Sequence, residues 1–187
     1  MKKVIQEYTS YERRKELDKF VWLFPILFIF HDMEEIIGFG IWLKKNRAML
    51  NERYPKVNEI YKDFSTEGMA AAVLEEFMVC ILFCVLSIVT QTRYIWMLWL
   101  GGFIAFALHL VIHIGQSIVM KQYIPSLITS VIALPISIWV ISGCVQVVNC
   151  GIGMVIAFSV LGIVIVGLNL KFAQSLIGKF TRWKEKL

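Results

Sequence analysis

An apolar run from Phe20 to Leu43 carries one imidazole and three carboxylates at its centre, in the string Phe30-His31-Asp32-Met33-Glu34-Glu35. About 20 apolar residues at ~1.5 Å each span the hydrocarbon core of a bilayer, so the run is long enough to cross one. Charged groups at that depth cost about 2.5 to 3.5 kcal/mol each on insertion scales. A membrane helix does not hold such a cluster without partners. The groups must pair with other helices, line a wet cavity or bind an ion.

The remaining sequence belongs to the same class. Of 187 residues, 58% are hydrophobic and the mean hydropathy is +0.68. The apolar runs are too long for a soluble core. They predict an all-α polytopic membrane helix bundle in a single domain, with about five transmembrane helices over residues 20–43, 69–90, 94–120, 123–148 and 152–172. A polar arm (1–19), an amphipathic loop (44–68) and a basic tail (173–187) complete the chain.

The arm holds ten charged side chains and no short apolar core ending in a cleavage site, so no removable signal peptide is expected. Val4, Ile5, Tyr8 and Tyr11 share a helical face that would rest on the membrane surface. In the loop, Val57, Ile60, Tyr61 and Phe64 follow i, i+3, i+4, i+7 behind Pro55, the pattern of a short amphipathic helix on the headgroups. The net charge of +5 arises outside the apolar runs. Lipid headgroups are therefore the expected partner, and without a basic helix, aromatic platform or finger motif nucleic acid is not. The twelve Lys and Arg flanking the loop and tail side, against seven on the other, predict an external N-terminus in the cell membrane. Cys80, Cys84 and Cys144 fall within spans and are expected to be free and buried.

Counting depth from the face that bears residues 44–68, Glu35 lies ~12 Å in, Glu34 ~13 Å and His31 ~18 Å. On the second and third spans Glu75 and Glu76 come out at ~9 and ~10 Å, His113 at ~10 Å and His109 at ~16 Å. Three helices of independent sequence thus place their ionisable groups in one slab of the membrane. His31, Glu34 and Glu35 are related by i+3 and i+4 and share a face, which Gly38 continues with room for another element to approach. His109 and His113 are i, i+4, the spacing that lets two imidazoles of one helix hold one ion. The chain has three histidines, and all lie in this layer.

These residue types suit a divalent metal. His31, His109, His113 and Glu76 are candidate ligands, Glu34 or Glu35 a candidate general base, and Glu75, Asp32 and Gln116 candidate supporting groups. Zinc is favoured over di-iron. A di-iron bundle uses Glu-x-x-His, whereas the order here is His-x-x-Glu.

The string His31-Asp32-Met33-Glu34-Glu35, followed by Glu75-Glu76 and by His109-x-x-x-His113, resembles the HXXEE-motif family of small multi-pass membrane proteins. That resemblance implies a membrane fold and no settled activity. Intramembrane CaaX-type proteases are similar in pairing Glu-Glu with later histidines, but theirs continues Glu-Glu-x-x-x-Arg, where this chain has Cys80 or Phe39. Alkaline ceramidases are similar in holding zinc with intramembrane histidines, over more spans. The expectation is a metal-dependent membrane enzyme, a hydrolase of a lipid or acylated substrate. An ion or proton carrier, a di-iron oxidative enzyme, a metal-free acid/base isomerase and a non-catalytic regulator remain open alternatives.

Overall fold

A computed structural model describes residue 15, residues 17–148 and residues 150–186. The expected amphipathic arm lies outside the described residues for most of its length. Among the described residues the structure is helical, without a strand. Its elements are α1 (Leu23–Arg53), α2 (Pro55–Ile60), α3 (Thr66–Thr90), α4 (Arg93–Met120), α5 (Leu127–Val148) and α6 (Ile152–Lys184).

The protein is a multi-pass membrane helix bundle. Among the described residues four helices, α3 to α6, are long and apolar enough to cross a membrane. The sequence led us to expect about five such spans. The difference is α1, whose apolar stretch contains Asp32, Glu34 and Glu35 and is too charged to count by composition. It nonetheless packs along α3 and α5 as part of the bundle.

Two helix starts are capped by their own sequence. Ser65 Oγ accepts from Gly68 N–H at 3.1 Å to begin α3, and Thr92 Oγ1 accepts from Ile95 N–H at 3.4 Å to begin α4. The turns after α3 and α4 use left-handed residues, Gln91 (φ 51°) and Lys121 (φ 52°). Pro25 lies in the first turn of α1, where its missing N–H breaks no bond.

Central to the bundle is α4, more than half of whose most apolar stretch is buried. It packs on α5 and α6, and α6 packs in turn on α3. Phe24 of α1 meets Trp99 and Phe103 of α4 edge-on, at centroid separations of 6.0 and 5.1 Å, which sets α1 against the central helix. Close approach elsewhere depends on glycine. A Cβ on Gly162 of α6 would lie 2.2 Å from the Gly101 carbonyl carbon of α4, and one on Gly101 2.1 Å from the Phe158 oxygen. The two backbones touch, as small residues allow in membrane helices.

Past Leu43, α1 continues for ten residues and carries Leu50 into a second apolar cluster with Trp42, Leu43 and Ile124. Pro55 opens α2 at its first position. Val57, Tyr61 and Phe64 turn inward onto this cluster, so 55–64 lies across one end of the bundle. Arg47 of α1 fastens the segment, donating to Asn58 Oδ1 at 3.2 Å and to the Tyr61 carbonyl at 3.1 Å. At the other end of the chain, α6 runs to Lys184, and Thr181 meets Ser65 across a 2.7 Å hydroxyl pair. Arg182 and Asp63 pair at 2.7 Å, and Lys184 pairs with Glu67.

Candidate metal centre

His31, Glu35, His109 and His113 converge on one point between α1 and α4, each offering a ligand atom within 4.8 Å of every other. The i, i+4 relation on each helix supplies half of the group, and the packing of α1 against α4 supplies the encounter. His113 Nε2 lies 2.8 Å from His109 Nε2 and 3.0 Å from Glu35 Oε1. The His31 ring lies 5.4 Å from that of His109 and 5.2 Å from that of His113, centroid to centroid. Ligand atoms about 2.0–2.2 Å from a tetrahedral zinc stand about 3.4 Å from one another, so the group is of the right size to close on one ion. His31 is fully buried and Glu35 is 8% exposed.

The third member of the motif has a different task. Glu34 turns toward the start of α5, a helix that begins at Leu127 without a carboxylate in its first turn. There it accepts from Thr129 N–H at 2.8 Å, Thr129 Oγ1–H at 2.6 Å, the Tyr123 hydroxyl at 2.6 Å and, at 3.4 Å, Ile128 N–H. A carboxylate on α1 therefore satisfies the unpaired amides at the N-terminus of α5, where the helix dipole also favours negative charge.

Thr129 carries this contact onward to His31. Its single hydroxyl hydrogen goes to the Glu34 carboxylate at 2.6 Å in preference to the Ser126 carbonyl at 3.3 Å, so its oxygen accepts from His31 Nδ1–H at 3.1 Å. That assigns the His31 tautomer and leaves Nε2 as a bare lone pair. Nε2 is buried and has no hydrogen-bond partner. A lone pair left bare in this way, with its ring oriented by an outer hydrogen bond, is in the form in which an imidazole can ligate a metal.

The segment that delivers Thr129 is fixed to α1 at further points. Trp42 Nε1–H donates to the Tyr123 carbonyl at 2.8 Å. Gly38, where the sequence left room for an approach, receives Pro125. A Cβ there would stand 2.9 Å from Pro125 Cβ. Burial first, and then its bond to Glu34, push the Tyr123 phenol up to about 12, so it stays a donor at neutral pH.

The other sequence candidates lie around the group. Asp32 is 5% exposed, lines the same cavity as Glu35, and its Oδ2 has no partner. Glu76 of α3 and Gln116 of α4 also line that cavity, outside the set of four. Glu75 lies outside the set of four and accepts from Asn169 Nδ2 of α6 at 2.9 and 3.1 Å. Cys80, Cys84 and Cys144 are free and buried. Sequence reasoning missed Thr129 and Tyr123. Their only signal was a span without an ionisable group of its own, whose first turn had to find an acceptor elsewhere.

The cavity has a volume of about 540 Å³ and is walled by α1, α3, α4 and α6. Trp42, Tyr54, Val57 and Tyr61 line it at the end that the 55–64 segment crosses. Burial, and next the Glu35 carboxylate, push the Tyr61 phenol up to about 12. No curated protein and no solved structure matches this chain significantly. The family model described as "Protein of unknown function with HXXEE motif" matches residues 22–140, a stretch that includes the whole His/Glu group and Thr129. The chain therefore belongs to the HXXEE-motif family of proteins of unknown function.

Proposed function

We propose that the protein is a metal-dependent membrane hydrolase acting on a lipid or acylated substrate, with zinc held by His31, His109 and His113. The observation that carries the reading is the buried, partnerless Nε2 of His31 beside the paired His109 and His113. Leaving such an atom unpaired costs about 1–3 kcal/mol, a cost that a bound ion removes. Three neutral imidazoles make a donor set suited to zinc, which when bound would polarise a carbonyl and acidify a water.

In this reading Glu35, 3.0 Å from His113, takes the proton of the attacking water and passes it to the leaving group. Glu34 acts at a distance, through Thr129, by holding His31 in its binding tautomer. The surrounding apolar wall keeps bulk water away and strengthens every charge interaction inside.

Metal content by mass spectrometry tests the ligand set, using detergent-purified wild type beside His31→Ala and His113→Ala. The expected result is one zinc per wild-type chain, absent from both variants. A folded wild type without metal, prepared without chelator, would overturn the assignment. Asp32 Oδ2, buried and unpaired in the same cavity, favours a second reading, a dinuclear oxidative centre reaching toward Glu76. Two irons per chain would select it.

A further inference from the structure

The cavity extends well beyond the His/Glu group, and its two ends differ. Toward the 55–64 segment it is lined by Tyr54, Tyr61, Gln116 and Gln174, side chains that carry polar groups. On the other side of the group the walls are Phe24 and Phe28 of α1, Phe83 of α3, and Leu98, Gly102 and Phe106 of α4. From His109 to Gly102 is ~10 Å along α4 and to Leu98 ~16 Å, while Glu35 to Phe24 on α1 is ~16 Å. One leaflet of hydrocarbon is ~15 Å deep, so this end has the length of one membrane lipid tail.

We propose that this cavity binds one hydrocarbon tail of a membrane lipid, inserted past the His/Glu group toward Leu98 and Gly102, with the polar head among Tyr61, Gln116 and Gln174. Water does not fill the deep end, because a buried water needs two to four polar partners and the walls there offer none beyond the Cys80 thiol. Hydrocarbon is the solvent of the surrounding bilayer, and it enters such a space without loss. Because lipid tails are equally at home outside, the tail supplies placement and the polar end supplies selection. The bond between head and tail then falls at the His/Glu group, a point that rests on the hydrolase reading, whereas tail binding does not.

A fatty-acid methyl ester with a diazirine at the tail end, photolysed on the full-length protein in detergent and mapped by peptide mass spectrometry, tests the proposal. The expected label is saturable, is competed by the unlabelled ester and maps to the α4 segment around Leu98 and Gly102. Gly102→Leu places bulk where a Cβ already meets Phe24 at 3.6 Å. It should cut labelling by the full-length probe about tenfold, while a short-tailed homologue still labels the protein near the group. Val166→Phe, from the α6 wall, should do the same if the first variant fails to fold.

Non-saturable label confined to outward-facing residues such as Leu74, Met78 and Leu82 would overturn the proposal. His31→Ala should keep the saturable label. Label without metal would leave the tail site standing and remove the hydrolase, and metal without saturable label would do the reverse.

Discussion

Replacing Thr129 by valine isolates the link between the motif and the candidate ligand. Valine matches threonine in shape, so the change opens no cavity and exchanges Oγ1–H for a methyl group. Three contacts go with it, the 2.6 Å bond donated to Glu34, the 3.1 Å bond accepted from His31 and a longer 3.3 Å approach to the Ser126 carbonyl. Glu34 keeps Thr129 N–H and the Tyr123 hydroxyl. The first loss is a charge-assisted bond of about 1.5–3 kcal/mol, and the second leaves a buried N–H unsatisfied at about 1–3 kcal/mol. Allowing for relaxation, the metal-free protein should lose about 2–4 kcal/mol of stability.

The larger effect is expected on the ion. Freed from Thr129, His31 can carry its proton on Nε2, and loss of such an outer partner typically lowers metal affinity 10–100-fold. Competition against a chromogenic zinc chelator measures that fall, with thermal unfolding in detergent run alongside. Thr129→Ser, which keeps a hydroxyl, should bind nearly as wild type does. A valine variant with wild-type zinc affinity would refute the tautomer argument.

Two further outcomes follow from close approaches. Gly38→Val should drive Pro125 away from α1 and carry Tyr123 and Thr129 off Glu34, at a cost of about 1–3 kcal/mol or more, read as a lowered midpoint in thermal unfolding. Gly162→Ala puts a methyl group within 2.2 Å of rigid backbone and should abolish or sharply reduce folded protein, while Gly167→Ala, with nothing within 4 Å of its new Cβ, should be silent. Equal yields from the two alanine variants would argue against the α4–α6 crossing.

The four converging residues were legible because two independent constraints bear on them. Helical spacing put His31 with Glu35 and His109 with His113 on single faces, and depth put both faces in one layer. What spacing does not reveal is which neighbour each flank of a face meets. Glu34 and Glu35 sit on opposite flanks of His31, three and four residues on, and only the position of α5 separates their roles. Thr129 was invisible for a related reason, since a lone hydroxyl in an apolar span reads as mild polarity until its carboxylate partner arrives. Hydropathy also misplaces helix ends. It reports where the bilayer stops, and α1 continues to Arg53 because Leu50 still has an apolar cluster to join.

The division of labour along the chain has a consequence for diversification. Every residue that converges on the candidate ion, and the threonine that orients it, lies before position 140, within the region that defines the family. The fourth wall of the cavity is α6, encoded afterwards, which contributes Val166, Asn169 and Gln174 to the lining and no atom to the ion-binding group. The His/Glu group and one wall of the cavity are thus written in successive portions of the chain. Substitution along α6 can reshape that wall while the four converging side chains stay untouched, much as interchangeable jaws are fitted to one vice.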